Sequence, residues 1–280
     1  MSTPPNFSPP ILLTPSSLKS NTPLTNQIIS LTNAAFARSK QSQPEKWRIR
    51  PRFPTLETYY EQMLVDGAIV AVVLDQCESD DSENSNTPSE TIATQDTQAI
   101  ASSSHFPDTI ATQATQATPS SNTSPKTITT QRTQESHPTI PKGKVIATAA
   151  AVPWKGGWHS EGALTETGFE IKAVAVDGNE KYLHRGLAVQ VMSALGDELV
   201  RQAQLEKLEK QMKEGEQENL EEERGVSGSL SLWILAAECI NGEYWKKRGY
   251  KEVRRSTKGD LTWGCRTCFE LVVFRRDVEF

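Results

Sequence analysis

Apolar and polar positions alternate with two different periods along this chain, and each change of period marks an element. Three- and four-residue steps run through Pro23–Arg38, where Ile28, Ile29, Leu31, Ala35 and Phe36 share a side and Thr22 stands as N-cap. The same spacing runs through Thr55–Leu64, where Leu56, Tyr59, Tyr60 and Met63 fall together. It is clearest at Leu187, Ala188, Val191, Met192, Leu195 and Leu199. That helix is expected to continue through Arg201–Lys213, supported by the i, i+4 pairs Glu206/Lys210 and Glu209/Lys213. A short helix over Asn241–Arg248 ends at Gly249.

Between these stretches the pattern is that of strands. Ile11–Thr14, the run AIVAVVLD after Gly67, VIATAAAVPW from Lys144 to Pro153, and FEIKAVAV from Phe169 are rich in Val, Ile and Ala. Leu230–Ala236 is apolar throughout, as in a strand covered on both faces. Tyr250–Arg254 and Phe269–Phe274 read as two closing strands joined by the loop around Lys258–Gly264. The predicted order β α α β β β α β α β β describes an α/β domain, a mixed sheet flanked by helices.

One stretch has neither period. From Cys77 to about Ile140, residues 77–140, Ser, Thr, Gln, Asn and Pro dominate. The octet Thr91–Gln98 recurs at 109–116 and 127–134, a period of 18 residues. Each copy offers one Ile to bury, too little to offset ordering entropy, so the stretch is expected to be a disordered insertion. Its Thr-Gln pairs suit kinases that select Gln after Ser or Thr, but repeat expansion of an arbitrary polar unit is the preferred account of them. Residues 1–10, rich in Pro and Ser, are expected to be disordered, and 204–226 to form a charged helical extension fraying into an acidic run. The remainder of 11–280 is expected to be one domain interrupted by the insertion.

Charge narrows the function classes. A net charge of −5 and a pI near 5.6 argue against a nucleic-acid partner bound through a broad basic surface. No basic leader with an apolar core opens the chain, and apolar runs such as Ala68–Leu74 are too short to span a bilayer, so no membrane partner is expected. Four cysteines in a chain this long make no disulfide framework. Cys265 and Cys268 form a lone C-x-x-C without further ligands, so no metal is expected. Cytoplasm or nucleus is the expected compartment.

The candidate chemistry sits at the strand-to-helix turn before Leu187. A helix start leaves amide N–H groups without internal partners and carries partial positive charge, which suits a phosphate. Arg185 stands there, and Gly186 and Ala188 let a diphosphate approach the backbone. Leu183-His184-Arg185-Gly186-Leu187-Ala188, between the strand EIKAVAVD and an amphipathic helix, resembles the Gln/Arg-x-x-Gly-x-Gly/Ala fingerprint of the GNAT acetyltransferase superfamily, with Leu183 in place of Gln or Arg. NGEYWKKRGY is a second family landmark.

That resemblance implies a mostly antiparallel sheet of about seven strands, splayed between the fourth and fifth, and acetyl-CoA as co-substrate. It implies phosphates held at His184, Arg185, Gly186, Leu187 and Ala188, and a cofactor arm paired along Val174, Ala175 and Val176, with the Val174 N–H facing the thioester oxygen. Asn241 would touch the arm, or serve as a plain N-cap. Glu170, in a register like the Glu-bearing strand of histone acetyltransferases, would be the base. The family's acid is often a Tyr four residues before the Gly that ends this helix, and Trp245 stands there. Tyr244 would project about 100° away on a helix, leaving Tyr244 or solvent as the acid. The implied reaction is acetyl transfer to a primary amine of a small molecule, peptide N-terminus or lysine. A GNAT-like module that binds acyl-CoA or a protein without turnover is the alternative, as is a scaffold working through the Thr-Gln insertion. The acceptor side would be shaped by Phe36, Trp47, Tyr59, Tyr60, Trp154 and Trp158; the oligomeric state is not legible.

Overall fold

The computed structural model describes residues 6–77, 140–158, 160–214, 228–260 and 262–280. All of them belong to one compact unit formed by 1–81 and 139–280. The second unit, 82–138, and the repeats expected there lie outside the described residues, as do 215–227.

Seven strands form one sheet in the order β1-β2-β3-β4-β5-β7-β6. The strands are β1 (Ile11–Leu13), β2 (Ile69–Asp75), β3 (Lys144–Pro153), β4 (Phe169–Val176), β5 (Ser229–Ala237), β6 (Lys251–Lys258) and β7 (Phe269–Glu279). Every neighbouring pair is antiparallel except β4 and β5, which run parallel. This is the mixed, mostly antiparallel sheet expected from the sequence, with β6 and β7 longer than their apolar runs. In β2 the side chains alternate faces: Ile69, Ala71 and Val73 join one core, and Val70, Val72 and Leu74 the other. Burial on both sides is why its sequence is continuously apolar.

Helix α5 (Leu187–Glu214) covers the first face through Leu187, Val191, Leu195 and Leu199, the positions its period predicts. On the opposite face lie α1 (Pro15–Lys19), α2 (Thr22–Gln41) and α3 (Leu56–Met63). Helix α1 was not foreseen; Thr14 and Ser17 cap it reciprocally behind a proline. The cap of α2 is Asn21, whose side chain accepts from Leu24 N–H, rather than Thr22. The loop after β3 also carries an unforeseen turn of helix, α4 (Ser160–Thr165). Beyond β5 the chain makes a π-helical turn (Glu238–Gly242) before α6 (Glu243–Lys246), where one continuous helix was expected.

The N-terminal expectation is corrected from residue 6 onward. Phe7 bridges to Asp75, Ser8 N–H donates to the Leu74 carbonyl at 2.8 Å, and Gln76 N–H donates to Asn6. These bonds prolong the β1 edge across the end of β2. No helix among the described residues is long and apolar enough to cross a membrane.

Candidate active site

Strands β4 and β5 pair at two positions only, Phe169 with Leu232 and Glu170 with Trp233. Beyond Glu170 they separate, and β4 has no strand on its β5 side. The base of this split is held firmly. Trp154 stacks on Trp233 at 4.8 Å, and the Trp233 indole donates to the Thr167 carbonyl. Gly168, at φ 111°, presses against the Ser231 carbonyl where a Cβ would collide. The two strands therefore begin in contact and diverge toward their C-terminal ends.

Within the open part β4 carries a bulge. A two-residue step on β3, Thr148 to Ala150, faces a three-residue step on β4, Ala175 to Lys172. Ala173 absorbs the extra residue in left-handed conformation, φ 51°. The bulge shifts the facing of the strand by one, so Ala173 and Ala175 pack on the α2 side, and Val174 and Val176 on the α5 side. Its unpaired edge is the one assigned to the cofactor arm.

The loop from β4 to α5 is anchored by Tyr182, fully buried, whose hydroxyl donates to Asp75 at 2.8 Å. Lys181 pairs with Asp75 at 3.4 Å, and Lys144 with Asp177 at 3.2 Å. Burial alone would raise the Asp75 pKa, but bonds from Tyr182, the Cys77 amide and Lys181 outweigh it and hold the carboxyl below its ordinary value. Above this anchor Leu183, His184, Arg185 and Gly186 are exposed. His184 and Gly186 both take positive φ, 58° and 73°. A Cβ on Gly186 would meet nothing within 4 Å, so open space lies over the backbone. The first internal bond of α5 runs from Gln190 N–H to the Gly186 carbonyl at 3.0 Å. The amides of Leu187, Ala188 and Val189 have no acceptor among the described residues.

On the α5 face a groove of about 460 Å³ starts at the split, floored by Ile171 and Leu232. One wall is α5, with Val189, Met192, Ser193 and the carboxylate Asp197; the other carries Lys247, Arg248 and Arg276. Arg248 donates to the Tyr244 carbonyl, and Arg276 to that of Arg248, so both guanidinium groups bond main chain rather than a carboxylate. In the π-helical turn after β5, Asn241 lies outside helical geometry (φ −144°), and its side-chain oxygen is buried without a partner among the described residues. A buried amide oxygen left unpaired is costly unless something supplies a donor. Tyr244 is half-buried with the Arg248 guanidinium 3.5 Å over its ring; burial pushes its pKa up against the pull of Arg248. Trp245, at the position where the resemblance calls for an acid, belongs to the core.

Glu170 points to the opposite face. Its side chain is 12% exposed and pairs with Lys172 at 3.2 Å. Burial raises its pKa above the ordinary carboxylate range, outweighing the attraction of Lys172 and Arg52. Three aromatics expected to shape the acceptor side do not. Trp47 and Tyr59, each 1% exposed, and Trp154 are core residues. Trp47 packs on Phe269, and Tyr59 meets Phe53 edge-on. Cys265 is buried and Cys268 exposed, both as free thiols.

The predicted residues thus lie on both faces of the sheet: Val174, Val176, Leu187 and Tyr244 on the α5 side, with His184–Gly186 exposed at the start of α5, and Ala175 and Glu170 on the α2 side. Sequence reasoning missed Arg52, Lys172, Lys247, Arg248 and Arg276. The run Lys246-Lys247-Arg248 was a visible signal; Arg276 had none.

No family model and no curated protein matches the sequence. Among solved structures the chain is similar to Arabidopsis thaliana NAA60 in complex with acetyl-CoA, at 11% identity and a TM-score of 0.39, covering 98% of this chain and 99% of that one. It is similar to the same protein in complex with a bisubstrate analogue at 12% identity and a TM-score of 0.38, with the same coverage.

Proposed function

We propose that this chain is an acetyl-CoA-dependent N-acetyltransferase acting on a primary amine by direct transfer. The observation that carries the reading is the split between β4 and β5, which opens one site to both faces of the sheet. On one face are unpartnered amides, an orphaned Asn241 oxygen and a cation-walled groove; on the other is a buried carboxylate with a raised pKa. The first set fits a nucleoside diphosphate with a polar arm. Exposed amides at 187–189 receive the diphosphate, Lys247, Arg248 and Arg276 balance phosphate charge, and Asn241 accepts from an amide of the arm.

Acetyl-CoA, when bound, supplies an acyl thioester. The Val174 N–H on the bulged edge donates to the thioester carbonyl oxygen as charge develops there. Glu170 accepts the proton that the attacking amine must lose. A free alkylamine has a pKa near 10.4, so a positioned base accelerates transfer by about 10²–10⁴, and the burial that raises the Glu170 pKa makes it the stronger base. The departing sulfur takes a proton from Tyr244 or from water; the phenol is protonated at neutral pH, and the burial that raises its pKa makes it the weaker acid, which favours water.

A second reading, a domain that binds acyl-CoA without turnover, is favoured by one observation: Trp245 occupies the acid's place. An amine and peptide panel with detection of free thiol separates the two. Thiol release that depends on the acceptor supports transfer. Calorimetric uptake of acetyl-CoA with no thiol from any acceptor contradicts it.

A further inference from the structure

Between Arg38 and Arg52 the chain carries Arg38, Lys40, Lys46, Arg48, Arg50 and Arg52 against Glu45 alone, although its net charge is −5. This basic segment is not a free solvated run. Trp47 bridges to Cys265, Arg48 N–H donates to the Gly264 carbonyl at 2.7 Å, and Arg266 N–H donates to the Lys46 carbonyl at 2.8 Å. Lys40 reaches the Trp263 carbonyl. Trp47, Cys265 and Phe269 pack with Ala237 at the end of β5, with Ile240 beside them. The segment is thereby fixed over the β5 rim of the split, on the face that Glu170 occupies.

Lys40, Arg50 and Arg52 pair with no carboxylate among the described residues, apart from Glu170, whose charge acts on Arg52. Arg52 has five N–H donors and uses one on Gln62, at 2.8 Å. Its charge and that of Glu170 act on each other. Lys40 bonds the Trp263 carbonyl, and the Arg50 side chain lies against the next residue, 3.8 Å from where a Cβ on Gly264 would stand, so the two cations are neighbours. Burial, then Arg52 and Arg50, push Lys40 below its ordinary pKa against the pull of Cys265. Like charges held together at the edge of a site are relieved by an anion.

We infer that Lys40, Arg50 and Arg52 form an acceptor subsite for a carboxylate carried close to the amine, so that the substrate class is acidic. The inference rests on the acetyl-transfer reading only in taking the Glu170 face as the acceptor's side. Two sources supply this chemistry, a peptide with Asp or Glu after its amino terminus and a small amino acid; lysine in a basic sequence is disfavoured.

The test uses the full chain and two readouts. Thiol release is compared for peptides of one length carrying two Glu, two Gln or two Lys residues after the amino terminus, and for a free amino acid against its amide. In parallel, fluorescence anisotropy follows binding of the labelled acidic peptide. The acidic peptide should exceed the basic one by about tenfold in kcat/KM and in affinity, and the margin should shrink with salt. Arg50→Glu, and separately Lys40→Glu, should reverse the ranking of acidic and basic peptides; the reversal by either exposed or half-buried site guards against a folding defect. A preference for the amino acid over its amide, without one among peptides, assigns the small source. Thiol release with no preference for carboxylate, or a ranking that both reversals leave in place, overturns the inference while acetyl transfer stands. Acidic-peptide binding lost in Arg50→Glu, with no thiol released from any acceptor, supports the subsite and overturns acetyl transfer instead.

Discussion

The two faces of the sheet at the β4/β5 split are built from different materials. On the α5 face the candidate binding groups are led by main chain, amides at a helix start and a bulged strand edge, joined along the groove by the side chains of Lys247, Arg248 and Arg276. On the α2 face they are side chains: Glu170, Lys172, Arg52 and the basic segment above them. Backbone geometry is fixed by the fold and presents the same donors whatever the neighbouring side chains, which suits an invariant cofactor. Side chains vary without disturbing the sheet, which suits an acceptor particular to this chain. In the proposed reaction the split lets the two kinds of recognition share one reacting centre.

The sharpest way to break this division is at Glu170. Glu170→Gln should lower turnover by about 10²–10⁴ while leaving the acetyl-CoA affinity measured by calorimetry in place. Unchanged turnover removes Glu170 as the base. The same substitution has a stability signature. Because the folded-state pKa is raised, the folded chain holds this proton more tightly than the unfolded one. That contribution is complete below the ordinary Glu value and is lost as pH rises through the raised one. Glu170→Gln should therefore raise Tm, by an increment that grows with pH across that window. The pH profile of kcat/KM in the wild type should show its acid limb above the ordinary carboxylate range.

The next effects belong to the main-chain side. Gly186→Val forces a branched side chain into positive φ at a strain of about 1–2 kcal/mol and fills the space over the amides. Acetyl-CoA affinity should fall by about a hundredfold, with rates on saturating cofactor changed far less. Arg248→Ala removes one cation from the groove wall and should weaken the cofactor about tenfold, with a flatter salt dependence. The smallest effect concerns the loop anchor. Tyr182→Phe deletes the bond to Asp75 and should cost about 1–2 kcal/mol in denaturant unfolding.

Much of the α5 face was legible in the sequence because helix and strand periods are local. The buried positions Leu187, Val191, Leu195 and Leu199 follow directly from their spacing, and Arg185-Gly186 marks the helix start. The bulge was not legible, since Ala173 and Val174 continue an unbroken alternation and the extra residue is visible only against β3. Arg276 enters the groove from β7, and nothing near it in sequence signals that place. The aromatics misled for a physical reason. Trp47 and Tyr59 have a large apolar body and one polar atom, so composition fits a cleft and a core alike; packing placed both in the core, with the polar atom unpaired. Arg52 was passed over because a cation in a polar linker ordinarily faces water, and only the fold brings it to Glu170.

The central claim is that one split strand pair receives a nucleoside diphosphate on bare amides and aims its thioester along the bulged edge of β4. Amide chemical-shift mapping during titration with acetyl-CoA tests it most directly. The largest saturable shifts should fall on Gly186, Leu187 and Ala188, with a second set at Val174 and Asn241. Saturable binding that leaves those amides unmoved, or no binding at all, would contradict the account.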